Sequence, residues 1–480
     1  MKNHFLAQKY RDQYFLFDYY NLCLIQTDKE LYNCAVDYLS GGQSISSIEE
    51  IRNTSFSPYA EDLIYLLEQN ILISNSALNC DIIKTYPKVY FSFPTVHACN
   101  LRCKYCFAEA GSNYKEDIRT MSEEQIENIF RFLLSCEEFK ESSKFRLDFV
   151  SGGEPLLNFD LIKSSRRIGD EIFKEYGKSL DIWLCTNGIL LDEEKAGFLN
   201  GHNIGIGVSL DGAREINDMY RLYPDNGSSY ADVVNSILQV TRNKAYNRYF
   251  RDIWILTVVT AKTSSLIDIL EHHKRLGLNN VQMKIVRSVR DREYALTAEN
   301  AKHFISLYSD LTDFIIDKLE NDDISYLKMF LNGNDYFGKI IIRLILREAA
   351  VYRCMAGRNK ICFAANGDIY PCDSFVGQEA FRLGNISYGF DKEKVEMFYN
   401  QIIFKREPCR DCWANIICGG DCYHNSYLKN SDIRKPDEAF CEVSRELCML
   451  AIRLTAYLSF EKPDLLEKLY QYLEKRKAFQ

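Results

Sequence analysis

Thirteen residues, Ala98–Ala110, read ACNLRCKYCFAEA and place three thiols, Cys99, Cys103 and Cys106, in a C-x3-C-x2-C spacing. Iron–sulfur clusters prefer thiolate ligands, and a [4Fe–4S] cluster takes four. A loop that supplies three would leave one iron open to a further ligand. Structural zinc sites close instead with a second C-x2-C pair or with histidine. His97 stands beside the first cysteine, but no second pair follows nearby. On these residues alone, both chemistries stay open.

A second array lies far downstream. Cys354 is followed after twelve residues by Gly367 and after four more by Cys372. Then come Cys409-x2-Cys412-x5-Cys418-x3-Cys422 and, after eighteen intervening residues, Cys441. The chain has 17 cysteines, an odd number, so complete internal pairing is impossible. Clustering in a chain of cytosolic character points to metal or redox chemistry. Clusters or one to two zinc ribbons would both satisfy the array. Cys362 lies in ICFAANGDIYPC, which reads as a hairpin with Asn366-Gly367 as a two-residue turn. Ala365 would then pair with Asp368 and Ile361 with Cys372, so Cys362 is expected to point away from the side of Cys372. Cys23, Cys34, Cys80, Cys136, Cys185 and Cys448 read as packing residues.

Positioning these groups needs more than one core, and 480 residues predict two or three domains. Net charge −8 and pI ≈ 5.6 argue against a broad nucleic-acid surface. No apolar run reaches a membrane span, and GKIIIRLILREAA is broken by Lys339, Arg343 and Arg347. The N-terminus scatters charges where a signal peptide needs an apolar core. A cytoplasmic protein with no membrane or nucleic-acid partner is expected.

Near the N-terminus, Tyr14–Asp18 and Leu22–Thr27 read as strands, followed by helical stretches at Lys29–Leu39, Ser47–Asn53 and Tyr59–Gln69. Strands followed by short helices suggest a small winged-helix module or an accessory domain. Strand patterns then recur at Val89–Phe93, Phe145–Val150, Asp181–Cys185, Ile204–Ser209, Ile253–Val259 and Val281–Val286. Helical patterns alternate with them at Glu123–Leu134, Leu161–Glu175, Ala231–Arg242 and Leu266–Arg275, the first opened by a Ser122/Gln125 capping box. Repeated β–α units require parallel strands with right-handed crossovers. Helices from Thr297 to Ala350 bridge to the second array, Ala439–Ser459 forms another, and the charged tail after Lys462 reads as a surface helix.

Polar motifs stand at the strand ends. SGGEP (Ser151, Gly152, Gly153, Glu154, Pro155) follows the second of these strands. Its glycines permit close backbone approach, and its carboxylate can receive an ammonium group. Thr186-Asn187-Gly188 follows the third and Ser209-Leu210-Asp211-Gly212 the fourth. Ser209 and Asp211 share one side of an extended segment and could bond sugar hydroxyls. Arg221 in NDMYR is either a cofactor contact or a solvent salt bridge.

The cysteine triplet with Tyr105 before its last member, together with Gly152-Gly153-Glu154, resembles the radical S-adenosylmethionine (radical SAM) enzymes. The downstream seven cysteines resemble the SPASM extension. The resemblance implies an α/β protein: a partial (β/α)6 TIM-type barrel, an N-terminal winged-helix-like peptide-recognition domain and a C-terminal SPASM iron–sulfur domain. The expected boundaries are 1–82 for leader-peptide recognition, 83–320 for the barrel, 321–353 for a helical bridge, 354–450 for SPASM and 451–480 for a helical tail. It implies three [4Fe–4S] clusters, on Cys99/Cys103/Cys106, on Cys409/Cys412/Cys418/Cys441 and on Cys354/Cys372/Cys422, the last with an open iron. SAM would be met by Tyr105, Gly152, Gly153, Glu154, Asn187, Ser209, Asp211 and Arg221, with Lys284–Arg287 near adenine. No protein base is identifiable. The run from Pro371 through Cys422 is similar to maturases of six-cysteine peptides and other thioether-forming relatives, except at Asp373, Ser374 and Cys362. A thioether-forming maturase is therefore expected, with a leader-bearing precursor peptide and an electron donor such as flavodoxin or ferredoxin as partners. A formylglycine-generating sulfatase-type maturase, a carbon–carbon crosslinking SPASM enzyme, and a non-catalytic iron–sulfur or zinc peptide-binding protein are the alternatives.

Overall fold

The computed structural model describes residues 5–40, 60–69, 86–111, 120–150, 152–242, 253–287 and 292–478. The helix expected at Ser47–Asn53, and Cys80 and Ser151, lie outside them. At the N-terminus β1 (Phe5–Tyr10), β2 (Gln13–Asp18) and β3 (Cys23–Thr27) form an antiparallel meander. Two strands were expected, and β1 is the addition. It turns into β2 through Arg11, which adopts a left-handed φ of 53°. Strand alternation lets β2 serve two cores. Leu16 packs with Phe5, Tyr38, Leu63 and Leu67 under helices Lys29–Ser40 and Ala60–Glu68. Phe15 and Phe17 join the main core, where the Phe15 ring lies 6.0 Å from that of Phe460.

The main sheet has ten strands: β4 (Lys88–Ser92), β5 (Lys144–Phe149), β6 (Ser179–Thr186), β7 (Ile204–Ser209), β8 (Trp254–Val259), β9 (Asn280–Ile285), β10 (Lys360–Phe363), β11 (Asp368–Tyr370), β12 (Gly384–Asn385) and β13 (Gly389–Phe390). Their order is β13-β12-β11-β10-β4-β5-β6-β7-β8-β9, and β4 to β9 are parallel. Helices Glu123–Ser135, Phe159–Glu175, Tyr230–Arg242 and Leu266–Arg275 fall where periodicity placed them, and the capping box is present. Two short helices, Glu193–Gly201 and Arg214–Tyr220, were not read from the sequence.

One face of this sheet is sealed and the other is not. Phe145, Leu147 and Phe149 of β5, Leu180, Ile182 and Leu184 of β6, and Ile255 and Val259 of β8 are buried under the helices. The alternate residues, Arg146 and Asp148, Asp181, Trp183 and Cys185, and Trp254 and Leu256, are half-buried on the concave face. Lys284 of β9 and Lys360 of β10 lie at opposite ends of the run from β10 through β4 to β9, yet within electrostatic reach of each other. The sheet therefore curls into a partial barrel whose polar lumen these side chains line. Its narrow part is filled by Trp183 and Trp254, with ring centroids 6.0 Å apart, and by Arg146, 4.4 Å from the Trp183 ring.

The hairpin carrying Cys362 differs from the expectation. Cys362 pairs with Tyr370 and Phe363 with Ile369. Ala364 N donates to Asp368 O at 2.9 Å and Gly367 N to Ala364 O at 3.0 Å, closing a three-residue loop in which Gly367 has φ +85°. The added loop residue shifts the register by one, which moves every side chain to the other face. Cys362 thus lies on the face of Tyr370, and by the same alternation on that of Lys360 and Cys372. The parity reason for setting Cys362 apart from Cys372 is overturned. The tail after Lys462 is also more than a surface helix: in Pro463–Ala478, Leu465, Leu469 and Leu473 are buried.

Asp335 joins the barrel to its helical flank. It caps helix Tyr336–Leu346 by accepting from Gly338 N at 2.7 Å, and accepts from Met283 N of β9 at 2.7 Å. Burial pushes its carboxyl up to about 7. The folded state therefore binds a proton more tightly than the unfolded chain, and stability falls as pH rises between about 4 and 7. Asp335→Asn should flatten this slope, seen as a smaller change of urea midpoint across that window than in the wild type.

Candidate active site

The cysteine loop is held in place from two sides. After β5 the backbone runs beside the segment before Cys99: Gly153 N donates to Val96 O and Glu154 N to Ala98 O, both at 2.8 Å. A Cβ on Gly153 would lie 1.6 Å from Ala98 O, and one on Gly152 (φ +85°) would lie 2.9 Å from Val96 O. The two glycines thus admit the loop itself rather than only a ligand. On the other side Arg102 N donates to Leu222 O at 2.8 Å and Lys104 N to Tyr220 O at 3.0 Å. The three thiols fall within electrostatic reach of one another, and burial pushes Cys103 up to about 11.

Glu154 is only 2% exposed. It accepts from Thr186 Oγ1 at 2.6 Å, Leu156 N at 3.0 Å and Asn187 N at 2.7 Å, locking the end of β5 to that of β6. A carboxylate has about four acceptor positions, so one is left for an ammonium group. Asn187 Nδ2 donates to Asn100 Oδ1 at 2.7 Å and approaches Cys99 Sγ at 3.7 Å. Tyr105 OH donates to Asp211 Oδ2 at 2.5 Å, Arg221 Nη1 donates to Tyr105 OH at 3.3 Å, and Val258 N donates to Asp211 Oδ1 at 2.9 Å. Arg221 is buried beside Cys103, which removes the solvent salt-bridge reading. Its Nε and Nη2 have no partner among the described residues. Ser209, at the end of β7, turns its hydroxyl toward the Cys185 thiol.

Cys185 is no packing residue. It faces the lumen among Lys284, Glu154, Ser209 and Arg221. The alternation Trp183, Cys185, Asn187 was the signal for it, because Asn187 already marked that face. Arg287, expected near adenine, is engaged by protein groups instead. Its guanidinium donates to both oxygens of Asp421, at 2.6 and 2.9 Å, and its centre lies 4.3 Å from the Phe440 ring.

The second cysteine array separates into two groups. Cys354, Cys372 and Cys422 act on one another electrostatically. Cys409, Cys412, Cys418 and Cys441 together line a cavity of about 350 Å³ with Trp413, Phe440 and Arg445. Cys418 Sγ accepts from Tyr336 OH at 3.2 Å and from Ser444 Oγ at 3.1 Å. Cys448 is fully buried, as expected of a core residue, but its neighbours include Cys418 and Cys412. The Tyr19 ring lies 6.4 Å from that of Trp413, so the N-terminal module abuts this group.

Each of the three donor sets is made of cysteine sulfur; among the described residues no group of three or more His, Cys, Asp or Glu side chains is gathered as a metal-ion site as the side chains stand. Burial holds Cys103 and Cys409 protonated up to about 11. Such thiols ionise only against concentrated positive charge, and all-sulfur donors favour iron–sulfur clusters. The unpartnered N–H groups of Arg221, beside the loop, leave donors for a bound acidic or polar ligand.

The strand ends of a parallel β/α half-barrel are thus gathered around a three-cysteine loop. Residues 93–259 match the family model of the radical SAM superfamily. The chain is 26% identical over 376 residues to the cysteine-type anaerobic sulfatase-maturating enzyme of Clostridium novyi (strain NT), covering 73% of this chain and 91% of that protein. It is 24% identical to the serine-type anaerobic sulfatase-maturating enzyme of Bacteroides thetaiotaomicron, over 71% of this chain and 83% of that one. The solved structure of native anSMEcpe with bound AdoMet and Cp18Cys peptide shares the fold, with TM-score 0.61 at 22% identity over 78% of this chain and 99% of its own.

Proposed function

We propose that this chain is a radical SAM peptide maturase that joins a cysteine sulfur to a carbon of a ribosomally made precursor peptide. The observation that carries this reading is the division of the downstream thiols into a group of four and a group of three. Cys99, Cys103 and Cys106 would hold the SAM-binding [4Fe–4S] cluster, Cys409, Cys412, Cys418 and Cys441 a second, and Cys354, Cys372 and Cys422 a third. When bound, these groups supply a 5′-deoxyadenosyl radical, an open iron for the substrate thiolate and a path for the surplus electron to a donor such as flavodoxin or ferredoxin.

The chain's own residues bind and orient. Glu154 keeps one acceptor position for the SAM ammonium, and Arg221 aims spare N–H groups at its carboxylate. Asn187 and the pair Ser209 and Asp211 border the nucleoside side, with Asp211 fixed by Tyr105 and Val258 N. Gly152 and Gly153 hold the loop against β5. Residues 1–82 would recognise the leader by adding it as a strand to an edge of the β1–β3 sheet. Residues 83–320 form the barrel, 321–353 the bridge, 354–450 the SPASM domain and 451–480 the tail. With the parity reason gone, Cys362 is set aside on the electrostatic grouping above and on its thiol turning to Phe363 O at 3.8 Å.

A second reading, a sulfatase-type maturase forming formylglycine, is favoured by the curated relatives. Reconstituted protein should bind about twelve irons per chain, as three [4Fe–4S] clusters, and should yield 5′-deoxyadenosine from SAM under reduction. Cys362→Ser should leave the iron count unchanged. With the precursor peptide, each crosslink removes two hydrogens. Zinc in place of iron ends the enzyme reading, and formylglycine in the product favours the second one.

A further inference from the structure

Two hydroxyls converge on one sulfur of the four-thiol group. Cys418 Sγ, on the wall of the cavity it shares with Cys409, Cys412 and Cys441, accepts from Tyr336 OH at 3.2 Å and from Ser444 Oγ at 3.1 Å. The two hydroxyls also touch each other. Each carries a single hydrogen, so every arrangement confined to these contacts delivers at least one hydrogen to the sulfur. As a thiol, Cys418 turns its own hydrogen toward Gly420 O at 3.5 Å. As a thiolate it is purely an acceptor.

Both donors stand on rigid elements. Tyr336 opens helix Tyr336–Leu346, whose cap Asp335 is tied to β9 through Met283 N. The centre of its ring lies 4.1 Å from the Arg353 guanidinium and 5.3 Å from that of Phe440. Ser444 is 2% exposed and follows Cys441 by one turn of helix Glu438–Glu461, so the two share a face. The other thiols are served differently. Among the described residues no side-chain hydroxyl donates to the sulfur of Cys354, Cys372 or Cys422, and Cys99 is approached by Leu101 N at 3.4 Å and Asn187 Nδ2 at 3.7 Å.

Hydrogen bonds to cluster sulfurs favour the electron-richer state and so raise the reduction potential. We infer that Tyr336 and Ser444 are positioning residues that act through Cys418. Together they make the iron–sulfur group of the four thiols easier to reduce, which favours its taking up the surplus electron of the proposed crosslinking. The exchange is one for one: the substrate-derived radical loses an electron as the sulfur–carbon bond forms, and the oxidised group on Cys418 gains it. This rests on reading the four thiols as a cluster site and adds two residues to that site.

The test uses reconstituted full-length protein without SAM, so that no turnover contributes. A potentiometric titration followed by electron paramagnetic resonance reads each reduction step, and Cys441→Ala, which removes a thiol of the group of four, assigns its step. In Tyr336→Phe with Ser444→Ala that step should move to lower potential by about tenfold in its equilibrium, ~59 mV for a one-electron couple. The other steps should stay. Either single variant should move it less, because the remaining hydroxyl still reaches the sulfur, and Ser444→Thr, which keeps the hydroxyl, should match the wild type. An unmoved step in the double variant, or an equal shift of all steps, overturns the inference. Should the double variant lose iron, Tyr336→3-fluorotyrosine decides: its phenol is a stronger donor in nearly the same shape, so the step should rise, and an unmoved step overturns the inference. Failure of the functional reading is distinguishable. Zinc or no metal in the wild type ends that reading, whereas bound clusters whose potentials ignore both hydroxyls leave it standing and sink this inference alone.

Discussion

Gly153→Ala is expected to empty the Cys99/Cys103/Cys106 site of iron while the downstream thiol groups keep theirs. The added methyl would lie 1.6 Å from Ala98 O and 2.3 Å from its carbonyl carbon, both backbone atoms that no rotamer change can move aside. Overpacking costs about 1–3 kcal/mol where side chains can yield, and more against backbone. Separation of the two segments also breaks the bonds from Gly153 N to Val96 O and from Glu154 N to Ala98 O, each about 1 kcal/mol. Together these approach ~4 kcal/mol, enough to detach the loop. Iron should fall by about a third, the share of one cluster in three, and 5′-deoxyadenosine formation should be lost. Gly201→Ala is the control, because its Cβ meets nothing within 4 Å and its φ is not left-handed. Full iron content in Gly153→Ala would show that the close approach does not hold the loop.

The second large effect is expected at Arg287. Asp421, between Cys418 and Cys422, is 1% exposed and receives two bonds from Arg287, with Asp437 N donating a third at 3.0 Å. Arg287→Met leaves that carboxylate buried without its cation, a change that typically costs about 3–5 kcal/mol. Arg287→Met with Asp421→Asn together should recover much of this, since the buried charge is gone as well. The pH dependence has a definite sign. Arg287 is the main influence holding the Asp421 carboxyl below its usual range, against the burial that would raise it. The stabilisation is therefore present above the ordinary carboxyl value, about 4, and lost as pH falls through the lower folded value. Urea midpoints of the wild type should drop on acidification more steeply than those of the double variant. An Arg287→Met protein as stable as the wild type would sink the idea that this pair ties the thiol groups to the barrel.

The main elements were legible because each residue pattern had one physical solution. Val-, Ile- and Phe-rich runs separated by amphipathic stretches left little choice but parallel β–α units, and β7 and helix Leu266–Arg275 fall on the expected residues. The cysteine groups were legible from spacing because short loops constrain which sulfurs can meet. The hairpin register was not, since Asn366-Gly367 suits a two-residue turn as well as the last two positions of a three-residue loop. Only backbone pairing tells the two apart, and it reverses the face of Cys362. The contacts of Arg287 and Cys185 were not legible for a different reason. Their partners, Asp421 on one hand and Lys284 on the other, are distant in sequence, so only the curl of the sheet brings them together.

The seam between β4 and β10 has a practical consequence for anyone trimming this protein. Lys360 lies opposite Tyr90 and Cys362 opposite Ser92, Tyr90 N donates to Asn359 O at 2.6 Å, and Gln125 Nε2 reaches Ala365 O at 2.6 Å. A truncation ending before residue 354 would therefore strip β4 of its neighbour and leave a bare apolar margin, Val89 and Phe91 included, as a template for another chain. Such fragments should precipitate rather than behave as a minimal enzyme.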